Sequence, residues 1–330
     1  MTRRDRVKAA LAHQQTDKVP SCIHLAGDGW EKYGQQLFDR YVTGEIRQLY
    51  DEGKLEWQHA ICYAIGNDVL CVTCPWWGWY DLPESYQAED APDYLPKTIG
   101  CGSYGAFAEM VANLKKYTDA YVLVLIWGSH FEKAYFARGI ENFLADLAGE
   151  PEYAQKLLDY IIHKNMVMLE NIVHTPGIDG ILLGSDWGAQ ADLLMNPDTW
   201  RKMIAPGEQK EYDLIHEAGV DVWVHSCGNI QRILPDLAQM GVDALNPVQP
   251  ECMDIYDIKE KYGDKITFWG GISTQQTLPY GTPEDVAAET RKVTEALSKN
   301  GGYIIAPSQE IQSDVPFENL CALIDTANAL

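Results

Sequence analysis

His225 and Cys227 stand two residues apart at the end of an apolar run, Val222-Trp223-Val224, and Gly228 follows at once. Side chains alternate along a strand, so residues i and i+2 project to one side. Imidazole nitrogen and thiolate sulfur are favoured donors for zinc. Gly228 permits a sharp turn that would leave both donors at the strand's C-terminal end. The same pair can equally be a buried thiol beside a core histidine, because cysteine is among the most buried residue types. The elements around the pair decide which reading holds.

Short apolar runs recur along the chain. They cover Val19–Leu25, Asn67–Val72, Tyr121–Trp127, Gly180–Trp187, Asp221–Ser226, Ala244–Gln249, Ile266–Gly270 and Gly302–Ala306. Helical stretches separate most of them, among them 140–148, 151–173, 198–218, 230–240, 255–262 and 283–299, and a last one starts at Pro316. Thr2 can cap a first helix whose apolar face is Val7, Ala10 and Leu11. No hairpin signal joins the strands, which implies parallel strands buried on both faces. Eight such strands predict an α/β fold, a (β/α)8 barrel forming a single domain over residues 1–330 with an irregular first third. No Gly-x-Gly-x-x-Gly or phosphate-loop motif points instead to an open nucleotide-binding sheet.

A barrel of this kind builds its site at the C-terminal ends of its strands. The polar groups expected there are His24 and Asp28, then Trp127 and His130, Ser185 and Asp186, and His225 and Cys227. Gln249, Thr274, Gln275, Ser308, Gln309 and Glu310 complete the set. Other residue types invite chemistry less strongly. Cys71-x-x-Cys74 has metal or redox spacing but lies in an apolar strand, which favours core packing. The cluster Trp76-Trp77-Gly78-Trp79-Tyr80 would cover a cleft and line an apolar pocket for a small ligand. Arg3, Arg4, Arg6 and Lys8 read as a solvated helix face, and Glu318 suits a helix N-terminus.

Composition narrows the classes. Hydrophobic residues at 46% describe a folded protein with a large core, and no run of about 18 apolar residues marks a membrane span. A net charge of −22 argues against nucleic acid and anionic membrane surfaces as partners. Eight cysteines without a dense framework, behind an N-terminus with no apolar signal core, imply free thiols in a reducing cytoplasm.

Several segments together carry a family resemblance. They are Arg4-Asp5-Arg6-Val7 with Asp17-Lys18-Val19-Pro20, then Gly184-Ser185-Asp186-Trp187-Gly188-Ala189-Gln190 and His225-Ser226-Cys227-Gly228. Asn246-Pro247-Val248-Gln249-Pro250, Phe268-Trp269-Gly270-Gly271-Ile272, Gly301-Gly302-Tyr303-Ile304-Ile305 and Pro316-Phe317-Glu318-Asn319 continue it. Over nearly its full length the chain resembles the uroporphyrinogen decarboxylase superfamily, and within it the cobalamin-dependent methyltransferase branch. The resemblance implies a TIM barrel and a zinc ion held by a His-x-Cys pair, matched by His225 and Cys227, plus a later Cys. Gln309 stands where that Cys should be, so the expected third ligand is the adjacent Glu310, with Cys252 behind it.

The implied reaction moves a methyl group between a small methylated substrate and the corrinoid (cobalamin) of a partner protein, with zinc as Lewis acid. Asp186 would manage a proton or orient the substrate. His24, Trp127, Trp187, Gln190 and Gln249 would line the substrate site, and the aromatic supply favours an aryl methyl ether. Porphyrinogen decarboxylation is the alternative within the family. The chain has nine arginines, and none lies in Ser21–Asp28 or at an expected strand end to clamp a carboxylate-rich porphyrinogen. A barrel that binds a small molecule or corrinoid without turnover is the alternative outside catalysis.

Overall fold

A computed structural model describes residues 1–77 and 102–330. Among the described residues, seven strands lie in chain order in one sheet. They are β1 (Val69–Thr73), β2 (Tyr121–Ile126), β3 (Gly180–Gly184), β4 (Asp221–His225), β5 (Ala244–Asn246), β6 (Thr267–Ile272) and β7 (Tyr303–Pro307). Helices connect them, and the strands run parallel in the curled arrangement of a (β/α)8-type barrel, as expected from the apolar runs. β2, β3, β6 and β7 are buried at every position, which is why they read as continuous apolar runs rather than alternating ones. No helix among the described residues is long and apolar enough to cross a membrane.

Contacts divide the chain into two compact units. The first comprises Met1–Cys71, Ala112–Leu123 and Asp243–Leu330. Here the run at Val19–Leu25 forms two isolated bridges to the chain at and beyond β7, Ser21 to Ile305 and Leu25 to Ile311, in place of a continuous strand. Pro20 supplies no N–H to a ladder, so pairing begins with its carbonyl, which accepts from Ile305 N–H at 2.8 Å. The N–H of Asp68, just ahead of β1, donates to the Ser21 carbonyl at 2.8 Å. The extended segment thus takes the eighth strand position between β7 and the start of β1. β5 ends at Asn246, short of the expected Gln249, because Pro247 lacks an N–H and Val248 is left-handed (φ +52°).

Helix α1 (Arg3–Leu11) starts at Thr2, whose hydroxyl accepts from Asp5 N–H. Val7 and Ala10 are buried, as the pattern implies. Arg6 is not on a solvated face: it is buried and ion-paired with Asp17 and with the fully buried Asp68. Asp68 also accepts from Ser21 N–H at 2.9 Å, so this pair ties α1 to the extended segment and to β1. Arg6→Ala leaves the Asp68 carboxylate without its cation, at a cost of about 3–5 kcal/mol. A melting temperature lower by several degrees is expected, partly restored by adding Asp68→Asn. An unchanged melting temperature would show that the pair contributes nothing.

The second unit comprises Val72–Val111 and Val124–Val242. Its core helices include α2 (His130–Arg138), α3 (Pro151–Ile172) and α4 (Ala205–Glu217). The helix expected over 198–218 is divided by a π-helical turn at Trp200–Ile204. Pro206, which cannot donate a backbone hydrogen bond, sits just after that turn. Trp77 is fully buried and donates its indole N–H to Asn165 of α3 at 3.0 Å, so it serves the core rather than covering a cleft. Trp79 and Tyr80 lie outside the described residues.

Candidate metal centre

β3 and β4 pair in register, Gly184 opposite His225, so the residues after each strand emerge side by side. Asp186 leaves β3 and Cys227 leaves β4. The two exits are braced by backbone: Ser185 N–H donates to His225 O at 2.9 Å, and Asn229 N–H to Ala189 O at 2.8 Å. Trp187 N–H donates to the Ser226 hydroxyl at 3.0 Å. Two glycines allow this closeness. A Cβ on Gly188 would lie 2.5 Å from the Cys227 carbonyl oxygen, and one on Gly228 (φ +82°) would lie 2.5 Å from Gly188.

The brace brings three donors together. Cys227 Sγ is 3.4 Å from His225 Nε2, and His225 Nε2 is 3.5 Å from Asp186 Oδ1. Asp186 Oδ1 also accepts the Cys227 N–H at 2.8 Å, which holds its carboxylate against the pair. All three ligand atoms lie within 4.8 Å of one another. Bonds of about 2.0–2.3 Å to nitrogen, oxygen and sulfur in a tetrahedron put ligand atoms roughly 3.3–3.8 Å apart. The two separations to His225 Nε2 fall in that range, and the three donor types are ones that zinc takes. Among the described residues this is the one such group.

Aromatic and acidic groups border it. The Trp127 ring meets the His225 ring edge-on at 4.9 Å and is 43% exposed, so it forms an open wall. From α2, Tyr135 donates to Glu132 Oε1 at 3.0 Å. Burial, reinforced by the charge of Asp186, pushes the Glu132 carboxyl up to about 7. Burial also raises the Tyr135 phenol, and Glu132, Asp186 and Cys227 add to the effect. Tyr135 keeps its proton at neutrality, while Glu132 gains and loses its own there. Sequence reasoning missed them, although their i, i+3 spacing just beyond β2 was a usable signal.

Residues 87–330 match the uroporphyrinogen decarboxylase (URO-D) family. The chain belongs to that family. Among curated relatives, methylcobamide:CoM methyltransferase MtaA of Methanosarcina barkeri is 31% identical over 56% of this chain and 51% of its own length. A methylated-thiol–coenzyme M methyltransferase of Methanosarcina mazei is 22% identical over 64% and 54%. A uroporphyrinogen decarboxylase of Psychromonas ingrahamii is 23% identical over 45% and 44%. The chain thus spans about half the length of the curated relatives it matches. A solved methyltransferase from Methanosarcina mazei superposes over 100% of this chain and 99% of that one, with a TM-score of 0.69 and 19% identity. That likeness supports the barrel fold.

Within this family fold, the expected site residues divide between the two units. Asp186, Trp127, His225 and Cys227 converge in the second unit. Trp187 follows Asp186 but turns inward, fully buried against Trp200 at 5.3 Å between ring centroids. Gln190 is exposed. His130 is fully buried in a polar core cluster, 3.3 Å from Glu208. In the first unit, Glu310 stands 3.5 Å from His24 Nδ1. Burial disfavours a charged His24, yet Cys71 and Glu310 outweigh it and hold its proton well above the usual histidine range. Glu310 and Gln249 also line a cavity of about 450 Å³ with Thr274, Gln275 and Gln309. Cys252 lies half-buried in that unit as well. The donor that accompanies His225 and Cys227 here is Asp186.

Proposed function

We propose that the chain transfers a methyl group between a small methylated substrate and the corrinoid of a partner protein, at a zinc held by His225, Cys227 and Asp186. The observation that carries this reading is the meeting of an imidazole, a thiol and a carboxylate at two braced strand ends. Two relatives named for methyl transfer to coenzyme M, one of them for methylcobamide, support the reaction class. Zinc, when bound, would supply a Lewis acid that makes the heteroatom carrying the methyl group a better leaving group. The chain's own residues do the rest. The backbone bonds between the exits of β3 and β4 hold the donors in place, so little ordering is needed when an ion arrives. Trp127 offers a flat apolar wall, which favours an aryl methyl ether as substrate. Tyr135 and Glu132 hold protons beside the site, available to an oxygen that loses its methyl group.

Asp186→Asn tests the assignment. The amide oxygen can still accept the Cys227 N–H, so the brace survives while the anionic donor is lost. Zinc affinity is expected to fall by tenfold or more, with methyl transfer falling alongside. Turnover is read as the change in cobalt absorbance when a Co(I) corrinoid protein is offered methoxylated aromatics, methanol or methylamines. Lost turnover at unchanged metal content would return Asp186 to proton handling. No methyl transfer to any corrinoid by the zinc-loaded chain, with ligand binding indifferent to Cys227→Ser, would leave a binding barrel.

A further inference from the structure

The first unit holds a second sulfur site that the methyl-transfer reading does not use. Cys71, on β1, pairs in sequence with Cys74, but in space its sulfur faces Cys22 on the extended segment, 49 residues earlier, at 3.9 Å. A bonded pair needs about 2.05 Å between sulfurs, so both are free thiols in near contact. Cys22 is 0% exposed and Cys71 9%. The Cys22 contact and burial hold the Cys71 thiol well above the usual thiol range, and His24, beside its sulfur, works against them. The other side of His24 faces Glu310, whose carboxylate lines the 450 Å³ cavity. The His24 side chain is 20% exposed and that of Glu310 32%. A polar path therefore runs from the cavity through Glu310 and His24 to Cys71, with Cys22 behind it.

We propose that Cys22 and Cys71 are an oxidative modification site that closes to an internal disulfide on exposure to a small hydroperoxide. Cys71, the less buried of the two, reacts first. Its sulfur attacks the terminal peroxide oxygen, the O–O bond breaks, and a sulfenic acid forms while the alcohol leaves with the thiol proton. The Cys22 sulfur then attacks the Cys71 sulfur, the S–O bond breaks, and water leaves with the second thiol proton. In sum, two thiols and one hydroperoxide give one disulfide, one alcohol and one water. Two electrons pass from sulfur to peroxide. Closure brings the Cys71 sulfur from 3.9 Å to about 2.05 Å from that of Cys22 and takes the free thiol from beside His24.

The test uses the full, reduced chain treated with tert-butyl hydroperoxide, alkylated under denaturing conditions and digested without reductant. The expected product is a linked peptide pair carrying Cys22 and Cys71, lighter by about 2 Da than the two thiol peptides together and separated by dithiothreitol. In Cys22→Ala, oxidation should stop at a Cys71 sulfenic acid that dimedone captures. Cys62→Ala should leave the linked pair unchanged. The wild-type map decides by itself if a variant fails to fold. Cys22 and Cys71 both alkylated after Cys227 has oxidised, or Cys71 linked to Cys62 or Cys74, would overturn the proposal.

Discussion

Cys227→Ser is expected to strip the chain of zinc, lowering affinity at least 100-fold. The sulfur is the only anionic soft donor of the three, and a serine hydroxyl is neutral at working pH, so the ion would keep one nitrogen and one carboxylate oxygen. Loss of an outer partner of a metal ligand already costs about 10–100-fold, and loss of a ligand itself should cost no less. The melting temperature of the metal-free protein should scarcely move, because Cys227 is only half-buried and its N–H still reaches Asp186. Metal content after dialysis and competition with a chromogenic chelator give the readouts. A variant that keeps one zinc per chain at wild-type affinity would place the ion elsewhere.

The contrast with Asp186→Asn bears on how much of the site the sequence made legible. His225-x-Cys227 was visible because strand periodicity sets both side chains on one side, a local property. Asp186 was visible as a rim residue, but its place beside the sulfur comes from the approach of Gly188 to Gly228, 40 residues apart, which no local pattern encodes. Glu310 was expected as third donor from family geometry, and within its own unit it stands 3.5 Å from His24. The strands were legible from their apolar runs. Their ends were blurred where proline removed a donor, at Pro20 and Pro247. Arg6, read as solvated, is buried because Asp68 waits for it across the fold. Charge on a short helix cannot reveal a partner 62 residues away.

His130 marks another limit, since a histidine at a strand end reads as functional whether it faces a cavity or the core. Here it joins Glu208, Glu211 and Lys133, all at most 4% exposed. Asn165 donates to Glu211 at 2.7 Å and Tyr212 to Glu208 at 3.2 Å. Burial pushes both carboxyls up to about 8, and it lowers His130 to about 4 and Lys133 to about 8. These shifts give stability a definite pH dependence. A carboxyl raised from 4.5 binds more proton folded than unfolded between those values, so its contribution is lost as pH rises toward 8. A histidine lowered from 6.5 acts oppositely between about 4 and 6.5, and a lysine lowered from 10.5 does so between about 8 and 10.5.

From pH 6.5 to 8 the two carboxyls act without opposition from this cluster, so stability should fall there. The size is on the order of 2–4 kcal/mol, at about 1.4 kcal/mol per pH unit for each group. Above pH 8, Lys133 should offset part of the loss. The double variant Glu208→Gln with Glu211→Gln keeps the side-chain shapes and removes both titrations. Its melting temperature, measured from pH 6 to 9, should be flatter than that of the wild type by several degrees and higher than it at pH 8. Parallel curves for the two proteins would mean that the buried carboxyls titrate alike in the folded and unfolded chain.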